Sequence, residues 1–227
     1  FLIFLQPDFG SALVIFLIWF GMILVSGISR KHLLILTSIL VVVMMSLWFF
    51  VFETYQKERL MTFVHPLTNI EGSGYNAYQS TIAVGSGQVL GKGIGFGTQS
   101  KLKFLPEYET DFIFAAFSEE WGFVGSMLIV VLYVILIIRI LSNALIGRSN
   151  FETLFGVGFA LMLISHIIIN IGMNIGLMPV TGIPLPFMSY GGSHLLVECI
   201  GLGILMSTRR YARAMHREDM DREFLGI

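Results

Sequence analysis

Three groups of side chains in this sequence have the chemistry and the spacing to form a site. The first is Thr110-Asp111-Phe112, where a polar stretch gives way to an apolar helical pattern. An Asp at such a junction can cap the helix, satisfying free N–H groups and complementing the helix dipole. It can equally present a carboxylate at a water–lipid boundary to a membrane-anchored substrate. The two roles are compatible, and the frequency of Asp caps favours the first. The second group is Glu119-Glu120, about 12–14 Å further along a continuous helix. Adjacent carboxylates cannot face one side, so at least one must turn toward a cavity or a partner. A structural pair with Lys, His or Asn is at least as common as chemistry there. The third group is His166, Asn170 and Asn174, one polar stripe at i, i+4, i+8, with Glu198 on a later helix. It suits a polar cavity or, more commonly, interhelical hydrogen bonds. No metal-site spacing occurs in it.

Upstream of Asp111 runs a Gly-rich stretch, Val84 to Gly97, followed by Lys101, Lys103, Glu107 and Glu109. Glycines let backbone N–H groups approach a phosphate, with lysines as counter-charges. A flexible surface loop with a short interfacial helix is the plainer alternative. The stretch is no Walker A loop, because Gly93 follows Lys92 where Ser or Thr is required.

The elements that must position these groups follow from composition. Of 227 residues, 55% are hydrophobic and 13% charged, about half the charged share of a soluble domain. Soluble, disordered and nucleic-acid-binding classes are thereby excluded. Fourteen Lys and Arg against fifteen Asp and Glu give a net charge of −1, so no field recruits a polyanion. The single Cys199 forms no intrachain disulfide. An all-α, polytopic membrane helix bundle remains. Apolar runs of roughly 20 residues are long enough to span. They predict five transmembrane helices at about 9–29, 33–52, 112–141, 154–175 and 187–207, within one membrane domain covering 1–227. The last two are separated at the Gly and Pro cluster from Gly176 to Pro186.

Arg30 and Lys31 in the first connector, Arg139 and Arg148 in the third, and five arginines in the tail 208–227 place those segments in the cytoplasm. The loop 53–110 and the Pro-rich fourth connector then face outside. A loop that long usually carries function. The sequence opens on Phe1, which this topology puts outside, so an odd number of preceding helices is expected in a parent protein that starts in the cytoplasm.

Four longer motifs now carry a resemblance. They are Gln6-Pro-Asp-Phe-Gly10; Lys92-Gly-Ile-Gly-Phe-Gly-Thr-Gln-Ser100; Phe104-Leu-Pro-Glu107 with Thr110-Asp-Phe-Ile-Phe-Ala115 and Glu119-Glu-Trp-Gly122; and Pro179-Val-Thr-Gly-Ile-Pro-Leu-Pro-Phe187 with Ser189-Tyr-Gly-Gly-Ser193. Together they resemble the SEDS family of shape, elongation, division and sporulation proteins over essentially the whole chain. Thr181-Gly-Ile-Pro-Leu-Pro and Glu120-Trp-Gly are more similar to its elongation branch, RodA, than to its division branch, FtsW. The resemblance implies a ten-helix membrane protein, of which five are visible here, in the bacterial cytoplasmic membrane. It implies a peptidoglycan glycosyltransferase that polymerises lipid II, faces the extracytoplasmic side and works beside a class B penicillin-binding protein. It also makes Asp111 the essential acid, reversing the preference for a mere cap. On that reading Asp111 is the base or holds a divalent cation, magnesium or manganese. Lys101 and Lys103 contact the pyrophosphate, and Glu107 and Glu120 support the site. A lipid II flippase and a scaffold for the transpeptidase are the alternatives. Two departures stand out. Glu109 adds negative charge beside Asp111, which raises the expected pKa of that acid, and His194 stands where Ser is usual.

Overall fold

The computed structural model describes residues 8–50, 74–102, 104–146 and 149–225. Among them there are helices and turns and no strand. Helix α1, Phe9–Val25, begins where the Asp8 carboxylate accepts the Ser11 N–H at 3.0 Å, and α2 is Arg30–Phe50. Two short helices, α3 (Tyr75–Ser86) and α4 (Thr98–Lys101), lie inside the segment expected to be one long loop. Helix α3 forms because Ser80 and Ala83 find buried seats against the later helices, a tertiary gain that the polar composition of the segment does not announce.

Helix α5, Ile113–Ala144, and helix α6, Asn150–Asn174, are the two described helices both long and apolar enough to cross a membrane. Gly122 breaks α5, at φ 65° and ψ −164°. Residues 123–144 beyond the break rise about 33 Å, close to the thickness of a bilayer core. Shorter apolar stretches run over Gly10–Val25 and Gly192–Thr208.

Helix α7, Gly192–Leu225, differs from expectation at both ends. It starts five residues later than 187, because Leu185 to Ser189 form a turn of their own with Met188 and Ser189 N–H groups on the Leu185 carbonyl. It also continues through the basic segment expected as a tail, whose Arg, Glu and Met residues are good helix formers.

Helices α5, α6 and α7 share a core of Ile140, Phe159, Ala160, Leu163 and Leu205. Small residues bring the backbones close: a Cβ on Gly156 would lie 2.5 Å from the Ala144 Cβ, and one on Gly201 would lie 2.3 Å from the Phe159 ring. Such packing, rather than water exclusion, holds helices together in lipid. Helix α1 lies along α6 through Val14, Ile169 and Ile183. The outward faces of α2 and α5 present Leu34, Ile39, Val42, Phe123, Leu128 and Ile135, side chains suited to hydrocarbon.

A separate cluster of Ala83, Leu105, Phe112 and Ala115 ties α3 and the connector to the start of α5. Leu105 and Phe112 are almost fully buried there. Burying a large side chain such as these away from water contributes about 2 kcal/mol.

Candidate active site

The turn before α5 is organised by one carbonyl. Glu107, at φ 53°, directs its oxygen toward the N–H groups of Thr110, Asp111 and Phe112 at 3.1–3.2 Å. A non-Gly residue in the left-handed region costs on the order of 1–3 kcal/mol, which these three hydrogen bonds offset. The cap position of α5 falls on Phe112, with no side-chain capping bond. The expectation that Asp111 caps the helix is therefore overturned, because the Glu107 carbonyl already binds the N–H groups at this end.

Asp111 is instead gripped by its backbone. Its carbonyl accepts Asn170 Nδ2 at 2.9 Å and Asn174 Nδ2 at 3.1 Å. Asn174 Oδ1 accepts the Ala115 N–H, and Asn170 Nδ2 also reaches the Ile183 carbonyl. Both Asn side chains are fully buried. The polar stripe on α6 thus joins the start of α5 to the connector between α6 and α7. That joining role is what the stripe alone could not specify.

The same connector holds the turn from its other side. Ser189 Oγ donates to the Thr110 carbonyl at 2.6 Å, and the Tyr190 N–H donates to the Glu109 carbonyl at 2.8 Å. Gly182, at φ +72°, faces the acid, and a Cβ there would sit 3.5 Å from Asp111 Oδ2.

The Asp111 carboxylate is half-buried, and no described group hydrogen-bonds to it. Burial raises its pKa, and the negative charge of Glu107 raises it further. The expected influence of Glu109 is not what acts. That carboxylate turns to the Tyr108 hydroxyl at 2.9 Å and raises the pKa of the phenol.

Of the other anticipated site residues, Glu107 is next to Asp111 and accepts from Thr110 Oγ1 at 3.1 Å. Lys101 is exposed, with its Nζ 3.5 Å from the Gly95 carbonyl. Glu120 is half-buried, and its carbonyl receives the Gly93 N–H. Among the described residues, no hydrogen bond or ion pair connects Lys101 or Glu120 to the Asp111 carboxylate. Lys103 lies outside the described residues.

Glu119 is fully buried in the Gly-rich segment. Its carboxylate meets Lys92 Nζ at 2.7 Å, Thr98 Oγ1 and N at 2.9 Å, and the Gln99 N–H at 3.1 Å. The glycines serve the same closure. A Cβ on Gly91 would sit 2.0 Å from the Glu120 carbonyl oxygen, and one on Gly87 would sit 2.0 Å from that of Ser118. Phe123 and Val124 N–H groups, freed by the break at Gly122, bond to the Gln88 and Val89 carbonyls. Here the segment is a clasp around α5 rather than an open phosphate cradle, and Lys92 is occupied by Glu119.

No three His, Cys, Asp or Glu side chains converge to form a metal cage among the described residues. His166 Nδ1 lies 3.2 Å from His194 Nε2, and His194 Nδ1 lies 3.1 Å from Glu198 Oε1. This set is separate from the Asn170–Asn174 pair.

Fold and site together define a polytopic helical membrane protein in which a half-buried acid, Asp111, is held by its backbone beside the start of α5. Residues 1–214 match the cell cycle protein family of FtsW, RodA and SpoVE. The chain belongs to that family, as its motifs imply. It is 40% identical over 212 residues to the peptidoglycan glycosyltransferase MrdB of Escherichia coli K12, covering 93% of this chain and 57% of the relative. It is 38% identical over 208 residues to stage V sporulation protein E of Bacillus subtilis, covering 92% and 56%. Among solved structures it resembles a chain from a peptidoglycan synthase complex described as coordinating polymerization and crosslinking, with TM-score 0.73, 33% identity, 92% of this chain and 57% of that one. Thermus thermophilus RodA gives TM-score 0.57 at 31% identity, covering 91% and 50%. The chain spans a little over half the length of the curated relatives it matches.

Proposed function

We propose that the whole protein is a peptidoglycan glycosyltransferase, polymerising lipid II at the extracytoplasmic face of the bacterial cytoplasmic membrane beside a class B penicillin-binding protein. One observation carries the reading. Asp111 has its backbone fixed by Asn170 and Asn174 while its carboxylate stays half-buried and, among the described residues, without a hydrogen-bond donor. A carboxylate held in place but not consumed by the fold is available to a substrate.

The reaction moves a glycosyl group from its pyrophosphoryl lipid to a hydroxyl of a second substrate. The C–O bond to the pyrophosphate breaks, a C–O bond to the hydroxyl oxygen forms, and undecaprenyl pyrophosphate leaves. Asp111 takes the hydroxyl proton. Its raised pKa makes it a stronger base than an ordinary carboxylate, and such a group contributes typically about 10²–10⁴-fold. Lys101 and Lys103 are the candidate counter-charges for the pyrophosphate. Asp111 and Glu107 also suit a magnesium or manganese ion that draws its remaining ligands from phosphate and water, as Mg²⁺ usually does. Such an ion would neutralise charge on the leaving pyrophosphate.

A flippase needs free polar groups through both leaflets. Here His166 lies against His194 and His194 against Glu198, whereas the Asp111 carboxylate accepts no hydrogen bond from the described residues, which favours the transferase. The test is glycan polymerisation from labelled lipid II by the full-length protein with its transpeptidase, wild type against Asp111→Asn, with divalent cation titrated. At least a hundredfold loss is expected. Near-wild-type polymer, or leaflet exchange of lipid II without polymer, overturns the reading.

A further inference from the structure

Glu198 is 1% exposed on a membrane helix, where an acid is expensive to keep. Its Oε2 accepts the Phe187 N–H at 3.0 Å. Its Oε1 lies 3.1 Å from His194 Nδ1, off the line of a hydrogen bond, and has no other hydrogen-bond partner among the described residues. Phe187 sits at φ 58°, a strained conformation for a residue with a side chain. Two residues on, Ser189 Oγ accepts the Leu185 N–H at 2.7 Å and donates to the carbonyl of Thr110, the residue before Asp111. Tyr133 also braces this turn, donating its hydroxyl to the Pro186 carbonyl.

The continuous line runs from Glu198 through the Phe187 turn and Ser189 to Thr110. We propose that Glu198 is a positioning residue, holding the strained Phe187 turn so that Ser189 fixes the backbone that aims Asp111. His194, stacked on His166 at 5.3 Å between ring centres, packs against the carboxylate from the same helix. The inference rests on the reading of Asp111 as the reacting acid. What it adds is the acceptor eleven residues beyond Phe187 that sets the geometry.

A misplacement of about 1 Å can cost on the order of 10²-fold in rate. The full-length protein with its transpeptidase is assayed as Glu198→Ala, Glu198→Gln, Ser189→Ala and the Glu198→Ala/Ser189→Ala double variant. Glu198→Ala is expected to lower kcat about 10–100-fold, with KM for lipid II within about threefold. Glu198→Gln keeps an acceptor for the Phe187 N–H and should restore kcat to within about threefold. Ser189→Ala should reproduce the kcat loss, and the double variant should lose no more than the worse single, because both act along one line.

A Gln variant as slow as the Ala variant, losses that multiply in the double, or an effect on KM alone would each overturn the proposal. If Glu198→Ala does not fold, the Gln and Ser189→Ala results decide: wild-type kcat in Ser189→Ala overturns it. Asp111→Asn run alongside separates the two readings. An active Asp111→Asn removes the assignment of the acid itself, whereas an inactive one with unimpaired Glu198→Ala removes only the positioning role.

Discussion

Asp111 and Glu119 are acids eight residues apart at one end of the same bundle, and they are treated in opposite ways. Glu119 is fully buried and accepts from a lysine, a threonine and two backbone N–H groups. Asp111 is half-buried and its carboxylate receives nothing from the described residues, while its main-chain carbonyl is held by two buried asparagines. One acid spends its charge on the fold. The other has its position secured by groups that leave its charge unspent. The difference separates the acid we propose for the chemistry from the structural one more sharply than charge does, since both residues are carboxylates.

The contrast breaks most visibly at Asp111. Asn there should abolish polymerisation by at least about a hundredfold and leave the fold intact. The native pKa of Asp111 lies above its unfolded value, so the native state binds the extra proton and stability falls as pH rises through that window. Removing the ionised form should therefore hold or raise the melting temperature at neutral pH, as differential scanning fluorimetry in detergent would register. A lowered melting temperature would return Asp111 to a structural role.

At Glu119 the pattern should invert. Glu119→Ala leaves Lys92 and the Thr98 and Gln99 N–H groups without their partner. It should destabilise by about 2–3 kcal/mol, less than a fully buried pair because Lys92 is 31% exposed. Chemical unfolding in detergent measures this, and unchanged stability would end the clasp interpretation.

A smaller effect is expected from the supports. Asn170→Ala and Asn174→Ala should each lower kcat about tenfold through loosened positioning, with binding of lipid II nearly unchanged in a pull-down. Smallest is the pH response. The base must be ionised, so the rate should fall as pH drops through the raised pKa of Asp111, earlier than for an ordinary carboxylate near about 3.9. Glu107→Gln should move that limb down, because a repelling charge is gone. Glu109→Gln should leave it in place, because that carboxylate is engaged with Tyr108. Equal shifts in both pH profiles would show that Glu109 is coupled to the acid after all.

Much of this was legible in the residue string. Charge-free runs announce membrane helices because lipid tolerates little else, whereas the Thr110-Asp-Phe junction reads as a cap until the longer family motifs point to its acid. Three things were not legible, each for a spatial reason. Cap preference is a local statistic, and the Glu107 carbonyl outcompetes it through a positive φ that sequence does not display. The glycines at 87 and 91 suit a phosphate or a close backbone equally well, and only the carbonyls of Ser118 and Glu120 decide between them. Asn170 and Asn174 form a visible stripe, but their target lies 59 and 63 residues away in the chain.

The break at Gly122 has a mechanical corollary. An unbroken α5 of 32 residues would extend about 48 Å, well beyond a hydrocarbon slab of about 30 Å, and would answer any change in lipid thickness by tilting as one rod. Interrupted at Gly122, where the Gly-rich clasp bonds to both sides of the break, the helix needs only residues 123–144, about 33 Å, to match that slab. Asp111, on the clasped side of that span, should then keep its hold on Asn170 and Asn174 in thin and thick membranes alike.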